Sequence, residues 1–214
     1  MPPDILKIPN LVSLGRVLLL WPTAYFLALP SPEHRLYALV CLTLAGVSDY
    51  LDGLLARRLK QETELGLILD PLADKIMASG LVILLIFNRA FPIWMAALIV
   101  GRDALILIGG GLIRRKLKST VHSNLTGKYC FASIATLLVC YVAELRFCIS
   151  LLTVVSLILI PLSFLSYGRT FIFVMKGRPA PVFADRLLWR LLRTAAVVIA
   201  IGTCSAELIL TYGK

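Results

Sequence analysis

The sequence predicts an all-α integral membrane protein, and three observations support this. Of its 214 residues, 59% are hydrophobic and only 16% are charged. The mean hydropathy is +0.88. Apolar residues continue for about 20 positions at a time, which is the length of helix needed to cross a bilayer. A soluble domain of this size carries more charge and shorter apolar runs, so that class is excluded.

Seven apolar segments are separated by polar stretches. They cover residues 11–30, 36–57, 65–87, 91–113, 123–143, 148–172 and 194–211. The last segment follows an amphipathic stretch, 184–193, so it either crosses the bilayer or lies on its surface. We expect one transmembrane domain, 1–175, followed by a basic amphipathic and apolar appendage, 176–214. No cleavable signal is evident, so the first segment is expected to remain as a span.

The distribution of positive charge predicts the orientation in the membrane. Most lysines and arginines between the segments lie in the second, fourth and sixth loops. The first, third and fifth loops hold one arginine each: Arg35, Arg89 and Arg146. The basic loops and the N-terminus are therefore expected in the cytoplasm. The net charge of +10 then reflects topology and attraction to anionic membrane lipids, and it requires no nucleic-acid partner.

The cysteines form no metal-binding pattern in the sequence. Cys41, Cys130, Cys140, Cys148 and Cys204 are odd in number, include no C-x-x-C pair and mostly lie in apolar runs. We interpret them as small packing residues, and we expect neither a disulfide nor a zinc site. The two histidines are far apart in the sequence and add no further ligand set.

Four aspartates occupy membrane segments that would ordinarily contain none. A carboxylate at membrane depth costs at least ~2.5 kcal/mol and usually marks a function. The four belong to one pattern in the second and third segments: Asp49-x2-Asp52-Gly53-x2-Ala56-Arg57-x8-Gly66-x3-Asp70-x3-Asp74. Positions three or four apart share a helix face. A short polar loop joins the two segments, so we expect antiparallel neighbours whose carboxylates face one cleft near the cytoplasm.

The residue types in this pattern indicate chemistry at phosphorus. Carboxylate oxygens select Mg²⁺, Mn²⁺ or Ca²⁺ rather than zinc. Two such ions suit displacement at phosphorus, because they stabilise the attacking and the leaving oxygens. Gly53 and Ala56 allow close approach of a ligand or helix, and Arg57 is a fork donor suited to phosphate.

Two alternatives explain the aspartates without catalysis. They could pair with nearby arginines and lysines and hold helices together, or they could form the transport site of a cation transporter. Neither alternative accounts for Gly53, Ala56 and Arg57 at their fixed spacing.

The pattern from Asp49 to Asp74 resembles, position for position, the signature of the CDP-alcohol phosphotransferases. Residues 66–75 and 8–16 are similar to the phosphatidylglycerophosphate synthase and eukaryotic-type cardiolipin synthase branches. The resemblance covers about residues 8–175. It implies a six-helix transmembrane bundle, usually a homodimer, with a site open to cytosol and lipid. We expect a multi-pass protein of a bacterial inner membrane.

The resemblance also implies roles for the signature residues. The metal ligands would be Asp49, Asp52 and Asp70, holding two divalent cations, Mg²⁺ or Mn²⁺. Asp74 would bind metal or act as the general base. The CDP part of the donor, CDP-diacylglycerol, would be contacted by Asp52, Gly53, Ala56, Arg57 and Gly66. An alcohol would attack the phosphate next to the lipid and release CMP.

The acceptor alcohol is less well defined by the sequence. Arg102, Lys128 and Arg169 would suit the phosphate of glycerol 3-phosphate, which favours a phosphatidylglycerophosphate synthase. Each could instead be a buried ion-pair member or a snorkelling cation. The pair Arg102-Asp103 resembles cardiolipin synthases, which use a phospholipid acceptor, phosphatidylglycerol. A phosphatidylinositol phosphate synthase is a further alternative. Glycines 109–111 would allow close helix approach, and we expect them at a dimer interface.

Overall fold

The computed structural model describes residues 8–59, 66–117, 125–176, 202–204, 206–207 and 209–210. Side chains are described at these positions except 8–10, 49–50, 52–59, 66–71 and 114–117. Within this part of the chain the secondary structure is helical, without a strand. The predicted fold class, an all-α membrane protein, is confirmed.

The helices follow the predicted apolar segments. Their bounds are α1 (Ile8–Leu18), α2 (Leu20–Ala28), α3 (Pro32–Leu59), α4 (Gly66–Arg89), α5 (Ile93–Leu117), α6 (Leu125–Ala143) and α7 (Arg146–Met175). Together α1 and α2 form the first predicted segment. Counted in this way, the described ranges contain six long helical segments.

The division between α1 and α2 has a local cause. Pro22 has no N–H, so the carbonyl of Leu18 loses its helical partner at this point. The amide of Leu19 still donates to the carbonyl of Gly15 at 3.2 Å, and that of Thr23 donates to Leu19 at 3.2 Å. The two helices therefore continue one another across a single-residue interruption.

The first loop is shorter than the sequence suggested. The amide of His34 donates to the hydroxyl of Ser31 at 3.4 Å, which makes Ser31 the N-cap of α3. Pro32 occupies the first helical position, where a missing N–H has no cost. Residues 32–35, expected in the loop, belong to the first turn of α3.

A tight turn joins α6 to α7. Glu144 has a left-handed backbone with φ of 56°. The amide of Leu145 donates to the carbonyl of Cys140 at 3.0 Å, and that of Glu144 donates to Tyr141 at 3.3 Å. These two bonds are the Schellman pattern that satisfies the last carbonyls of a helix. The turn is only two residues long, so α6 and α7 are adjacent in space.

Several helices have the length and composition of membrane spans. Among the described residues, Leu11–Ala28, Ile93–Ile113, Leu125–Ala143 and Arg146–Met175 qualify by both criteria. Helices α3 and α4 have 28 and 24 residues, which is sufficient length, but they carry the charged signature. Large apolar side chains such as Trp21 and Phe87 are 82% exposed. Such surfaces are stable when lipid, rather than water, surrounds them.

The contacts divide the chain into two compact units, Met1–Ile93 and Trp94–Lys214. In the first unit, α1 and α2 each pack against both α3 and α4. In the second, α6 packs along α7, and the hydroxyls of Ser133 and Ser156 are 2.9 Å apart. Small polar residues at a helix interface are typical of membrane bundles, because they permit close approach and hydrogen bonding.

Candidate active site

The signature lies on two helices of the first unit. Asp49, Asp52, Gly53, Ala56 and Arg57 belong to α3, while Gly66, Asp70 and Asp74 belong to α4. Both helices are unbroken through these positions, and α4 continues through Pro71. The helical register on which the prediction depends is therefore present. The side chains of the signature lie outside the described set except for that of Asp74.

Asp74 is held by an arginine from the beginning of the chain. A terminal nitrogen of Arg16, on α1, donates a hydrogen bond to Oδ1 of Asp74, and the two form an ion pair. The side chain of Arg16 is only 3% exposed, whereas that of Asp74 is 33% exposed. A buried guanidinium requires a partner, since an unpaired buried charge is costly. The carboxylate is thus fixed by Arg16 and still partly open on its outer side.

Arg16 is the functional candidate that the sequence analysis missed. It lies in the run 8–16, which was noted only for its similarity to known enzymes. The signal that could have identified it is a lone cation in an apolar membrane segment, which usually has a specific partner. The partner could not be deduced, because Arg16 and Asp74 are 58 residues apart.

The residues fit hard divalent cations by their donor chemistry. Asp49 and Asp52 lie one turn apart on α3, Asp70 and Asp74 lie one turn apart on α4, and both helices pack on α1 and α2. Carboxylates are the ligands that Mg²⁺ and Mn²⁺ prefer. A carboxylate has about four acceptor sites, so the bond from Arg16 leaves capacity on Asp74.

Arg102, the first candidate for the acceptor, is buried in the second unit. It is 5% exposed, and its terminal nitrogens bond to Asp103 and, at 2.9 Å, to the hydroxyl of Ser163. The second terminal nitrogen also reaches the carbonyl of Gly127 at 3.4 Å. The guanidinium carbon lies 5.9 Å from the centre of the Tyr167 ring. Arg102 therefore links α5 to both α6 and α7.

Gly127 makes this arrangement possible. A Cβ atom at Gly127 would lie 2.6 Å from the hydroxyl oxygen of Tyr167. A side chain at this position would thus displace the ring that stacks against Arg102. Because Gly127 has no side chain, the start of α6 can approach α7 closely. This end of α6 is the one predicted to lie on the cytoplasmic side.

The other two acceptor candidates are placed differently from Arg102. Lys128, on α6, and Arg169, on α7, are exposed. Arg102 contacts the residue before Lys128 and lies near Tyr167, two residues before Arg169, but it is itself buried. The three cations are thus on neighbouring helices, and two of them are accessible to an anion. Beside them, an apolar cavity of about 420 Å³ lies between α5 and α7 and is bordered by Gly109, Tyr167 and Phe171.

The fold and the signature define a polytopic helical membrane protein with four aspartates on two consecutive helices, α3 and α4. The chain belongs to the CDP-alcohol phosphatidyltransferase family, whose model matches residues 6–165. The resemblance drawn from the aspartate signature is therefore confirmed.

The relatives include two kinds of enzyme. A CDP-diacylglycerol–glycerol-3-phosphate 3-phosphatidyltransferase from Aquifex aeolicus is 36% identical over 173 residues, covering 76% of this chain and 94% of the relative. A cardiolipin synthase (CMP-forming) from Streptomyces coelicolor is 36% identical over 131 residues, covering 58% of this chain and 59% of the relative. A cardiolipin synthase (CMP-forming) from Rattus norvegicus is 32% identical over 158 residues, covering 72% of this chain and 50% of the relative. With both synthases the match thus spans less than two thirds of the relative's length.

Proposed function

We propose that this protein transfers a phosphatidyl group from CDP-diacylglycerol to glycerol 3-phosphate, giving phosphatidylglycerophosphate and CMP. The observation that carries the proposal is the complete aspartate signature on α3 and α4, inside the family match of residues 6–165. The high coverage of the Aquifex glycerol-3-phosphate enzyme, 94% of its length, favours this acceptor.

The first unit would bind the metals and the donor. Dependence on a divalent metal is general in the family, and Asp49, Asp52 and Asp70 are the proposed ligands of two ions, Mg²⁺ or Mn²⁺. When bound, these ions would offset the charge of the diphosphate. The cytidine diphosphate part would contact a set of residues on α3 and α4: Asp52, Gly53, Ala56, Arg57 and Gly66. Arg57 would add a fork of donors to the phosphate oxygens.

Asp74 is the proposed general base. The hydroxyl oxygen of the acceptor attacks the phosphorus that carries diacylglycerol, and the bond from that phosphorus to CMP breaks. The hydroxyl proton passes to a carboxylate oxygen of Asp74. Arg16 acts as a positioning residue, because its bond to Oδ1 fixes the orientation of the carboxylate while a third of the side chain stays exposed.

A phospholipid acceptor, phosphatidylglycerol, is the second candidate. The specific observation in its favour is that Arg102 uses both terminal nitrogens within the protein, toward Asp103 and Ser163. An arginine so engaged has less capacity for the phosphate of a small alcohol. The remaining accessible cations, Lys128 and Arg169, suit a lipid phosphodiester equally well.

The test is CMP release by purified protein with CDP-diacylglycerol and Mg²⁺ or Mn²⁺. Glycerol 3-phosphate, phosphatidylglycerol and inositol phosphate are offered separately, with Asp74→Asn as the inactive control. Release only with glycerol 3-phosphate supports the leading proposal. Release only with phosphatidylglycerol supports the second candidate. No metal-dependent release with any of the three would contradict both.

The proposed orientation places the signature at the cytoplasmic face of a bacterial inner membrane, with the appendage 176–214 crossing the bilayer once more. The carboxylate of Glu207 accepts bonds from the amides of Phe147 and Cys148 at 2.9 Å each, at the start of α7. This helix has 30 residues, and at about 1.5 Å per residue its ends are ~45 Å apart. Lys176 and Glu207 therefore lie near opposite ends of α7.

Reporter fusions test this topology. Alkaline phosphatase joined after residue 214 should be active, and the same reporter joined after Lys176 should be inactive. Green fluorescent protein at the two positions should give the opposite pattern. Equal behaviour at both positions would contradict the seventh crossing.

The homodimer is proposed to form through the glycine-rich face of α5. Added Cβ atoms at Gly110 and Gly111 would meet nothing within 4 Å, so this face is open. Gly110→Leu should shift the purified protein from dimer to monomer in light scattering. Gly101→Leu is the matched control, since Gly101 is equally open and lies half a rotation away on the same helix. An intact dimer in Gly110→Leu would contradict this interface.

A further inference from the structure

Three cysteines that are distant in the sequence come together in the second unit. Cys140 lies near the end of α6, Cys148 near the start of α7, and Cys204 in the C-terminal segment. Their sulfur atoms all lie within 4.8 Å of one another. Cys140 and Cys148 are buried and Cys204 is half-buried. The sequence analysis interpreted all five cysteines as small packing residues, and nothing in the sequence indicated that these three lie together.

The spacing of the sulfur atoms suits coordination of one ion. The sulfurs of Cys140 and Cys204 are 3.8 Å apart. Two thiolates bound at about 2.3 Å on a tetrahedral ion are roughly 3.8 Å apart, because the angle between them is about 109°. A disulfide requires about 2.05 Å between the sulfurs. The separation of this one pair therefore matches two ligands of a shared ion.

Glu207 lies next to one of the three sulfurs, that of Cys148. Its two carboxylate oxygens accept the amides of Phe147 and Cys148, and the carboxylate also contacts the thiol of Cys148. These bonds fix the carboxylate beside this sulfur. Glu207 would thus orient Cys148 from outside the ligand set. The positive end of the α7 dipole further stabilises negative charge at this point.

The donor set differs in kind from that of the aspartate signature. Three sulfurs select zinc and other thiophilic cations, whereas carboxylates alone select Mg²⁺ and Mn²⁺. Three thiolates fill three of the four positions of a tetrahedral zinc site and leave the fourth to water. A bound ion would join three separate elements: the end of α6, the start of α7 and the C-terminal segment.

We propose that Cys140, Cys148 and Cys204 bind one thiophilic divalent cation, with Zn²⁺ as the expected ion, and that Glu207 orients Cys148. The site would fix the C-terminal segment to the α6–α7 turn. Its role is structural, and it is independent of the phosphatidyl transfer chemistry proposed above.

The test uses Co²⁺ as a spectroscopic probe of thiolate ligands. The purified full-length protein, reduced and kept in excess Mg²⁺ to occupy carboxylate sites, is titrated with Co²⁺. One equivalent should produce thiolate-to-cobalt charge-transfer absorption, and Zn²⁺ should remove it. Cobalt bound only by carboxylates gives no such band, so the signature cannot imitate the result.

Single variants identify the ligands. Cys140→Ser, Cys148→Ser and Cys204→Ser should each weaken or abolish the band. Cys130→Ser is the matched control, since Cys130 is also buried on α6, and it should behave as the unmodified protein. Glu207→Gln should lower the affinity roughly 10- to 100-fold, as expected for a group that orients a ligand.

Three results would overturn the proposal. One is the absence of a charge-transfer band in the reduced, unmodified protein. The second is a Cys140–Cys204 disulfide in the freshly isolated protein, detected by intact mass after alkylation, if the protein still binds no metal at these cysteines once it is reduced. If a serine variant fails to fold, protection from alkylation provides the test. Zn²⁺ should slow alkylation of Cys140, Cys148 and Cys204 in the unmodified protein. Unchanged alkylation would also refute the site.

Discussion

Replacing Arg16 by methionine should disturb the orientation of the Asp74 carboxylate while leaving Asp74 itself in place. The substitution keeps a long side chain on α1 but removes the charge and the donor to Oδ1. Arg16→Lys keeps the charge and loses only the planar fork of donors, so it should have an intermediate effect.

The expected size of the effect follows from the exposure of the two partners. Exposed pairs contribute about 0.2–1 kcal/mol, whereas breaking a fully buried pair costs about 3–5 kcal/mol. Arg16 is 3% exposed and Asp74 is 33% exposed, so water partly solvates the carboxylate. We therefore expect a coupling free energy of about 1–2 kcal/mol. If this orientation is needed in the transition state, kcat falls roughly 5- to 30-fold in Arg16→Met.

A double-mutant cycle measures this coupling. The free energy of unfolding is determined in mixed detergent for the unmodified protein, Arg16→Met, Asp74→Asn and the double variant. In parallel, CMP release should be lost in Asp74→Asn, and adding Arg16→Met to that variant should have no further effect. Additive effects on unfolding, together with unchanged kcat in Arg16→Met, would refute the argument that Arg16 positions Asp74.

Three further predictions concern the second unit. Arg102→Ala should raise the KM of the acceptor more than that of CDP-diacylglycerol in steady-state kinetics, because loss of the bonds to Gly127 and Ser163 would shift the helices that carry Lys128 and Arg169; equal increases would contradict a role in acceptor binding. Gly127→Ala should destabilise the protein by about 1–3 kcal/mol, because the added methyl group would lie 2.6 Å from the Tyr167 hydroxyl. Gly168→Ala, whose Cβ meets nothing within 4 Å, is its control in a thermal unfolding assay, and equal losses would argue against the clash. Glu144→Gly should stabilise the protein by about 1 kcal/mol, since a residue with a Cβ is strained at φ of 56°; an unchanged or lower midpoint would show that this strain is absent.

The sequence predicted those features that depend on neighbours along the chain. Apolar runs of membrane length became helices, because a bilayer leaves the backbone no other way to satisfy its hydrogen bonds within a single segment. The aspartates kept their helical register for the same reason, since α3 and α4 are continuous through them. The division between α1 and α2 at Leu19 also has a local signal, Pro22. The predicted segment 11–30 did not take this proline into account.

Features formed by distant residues could not be predicted. Arg16 and Asp74 are separated by 58 residues, and Cys140 and Cys204 by 64. No periodicity links such pairs, and a lone cysteine in an apolar run has the same pattern whether or not others lie nearby. The roles of Lys128 and Arg169 stay predictions, because exposure alone does not distinguish a ligand-binding cation from a snorkelling one.

The carboxylate of Glu207 also has a consequence for the order in which the protein matures. Leu145, the N-cap of α7, provides no side-chain bond, and the amides of Phe147 and Cys148 are instead satisfied by a residue about 60 positions later. During synthesis, Glu207 is added after the whole of α7, so the start of this helix receives its cap only late. Chains that end before Glu207 would leave the amides of Phe147 and Cys148 without this partner.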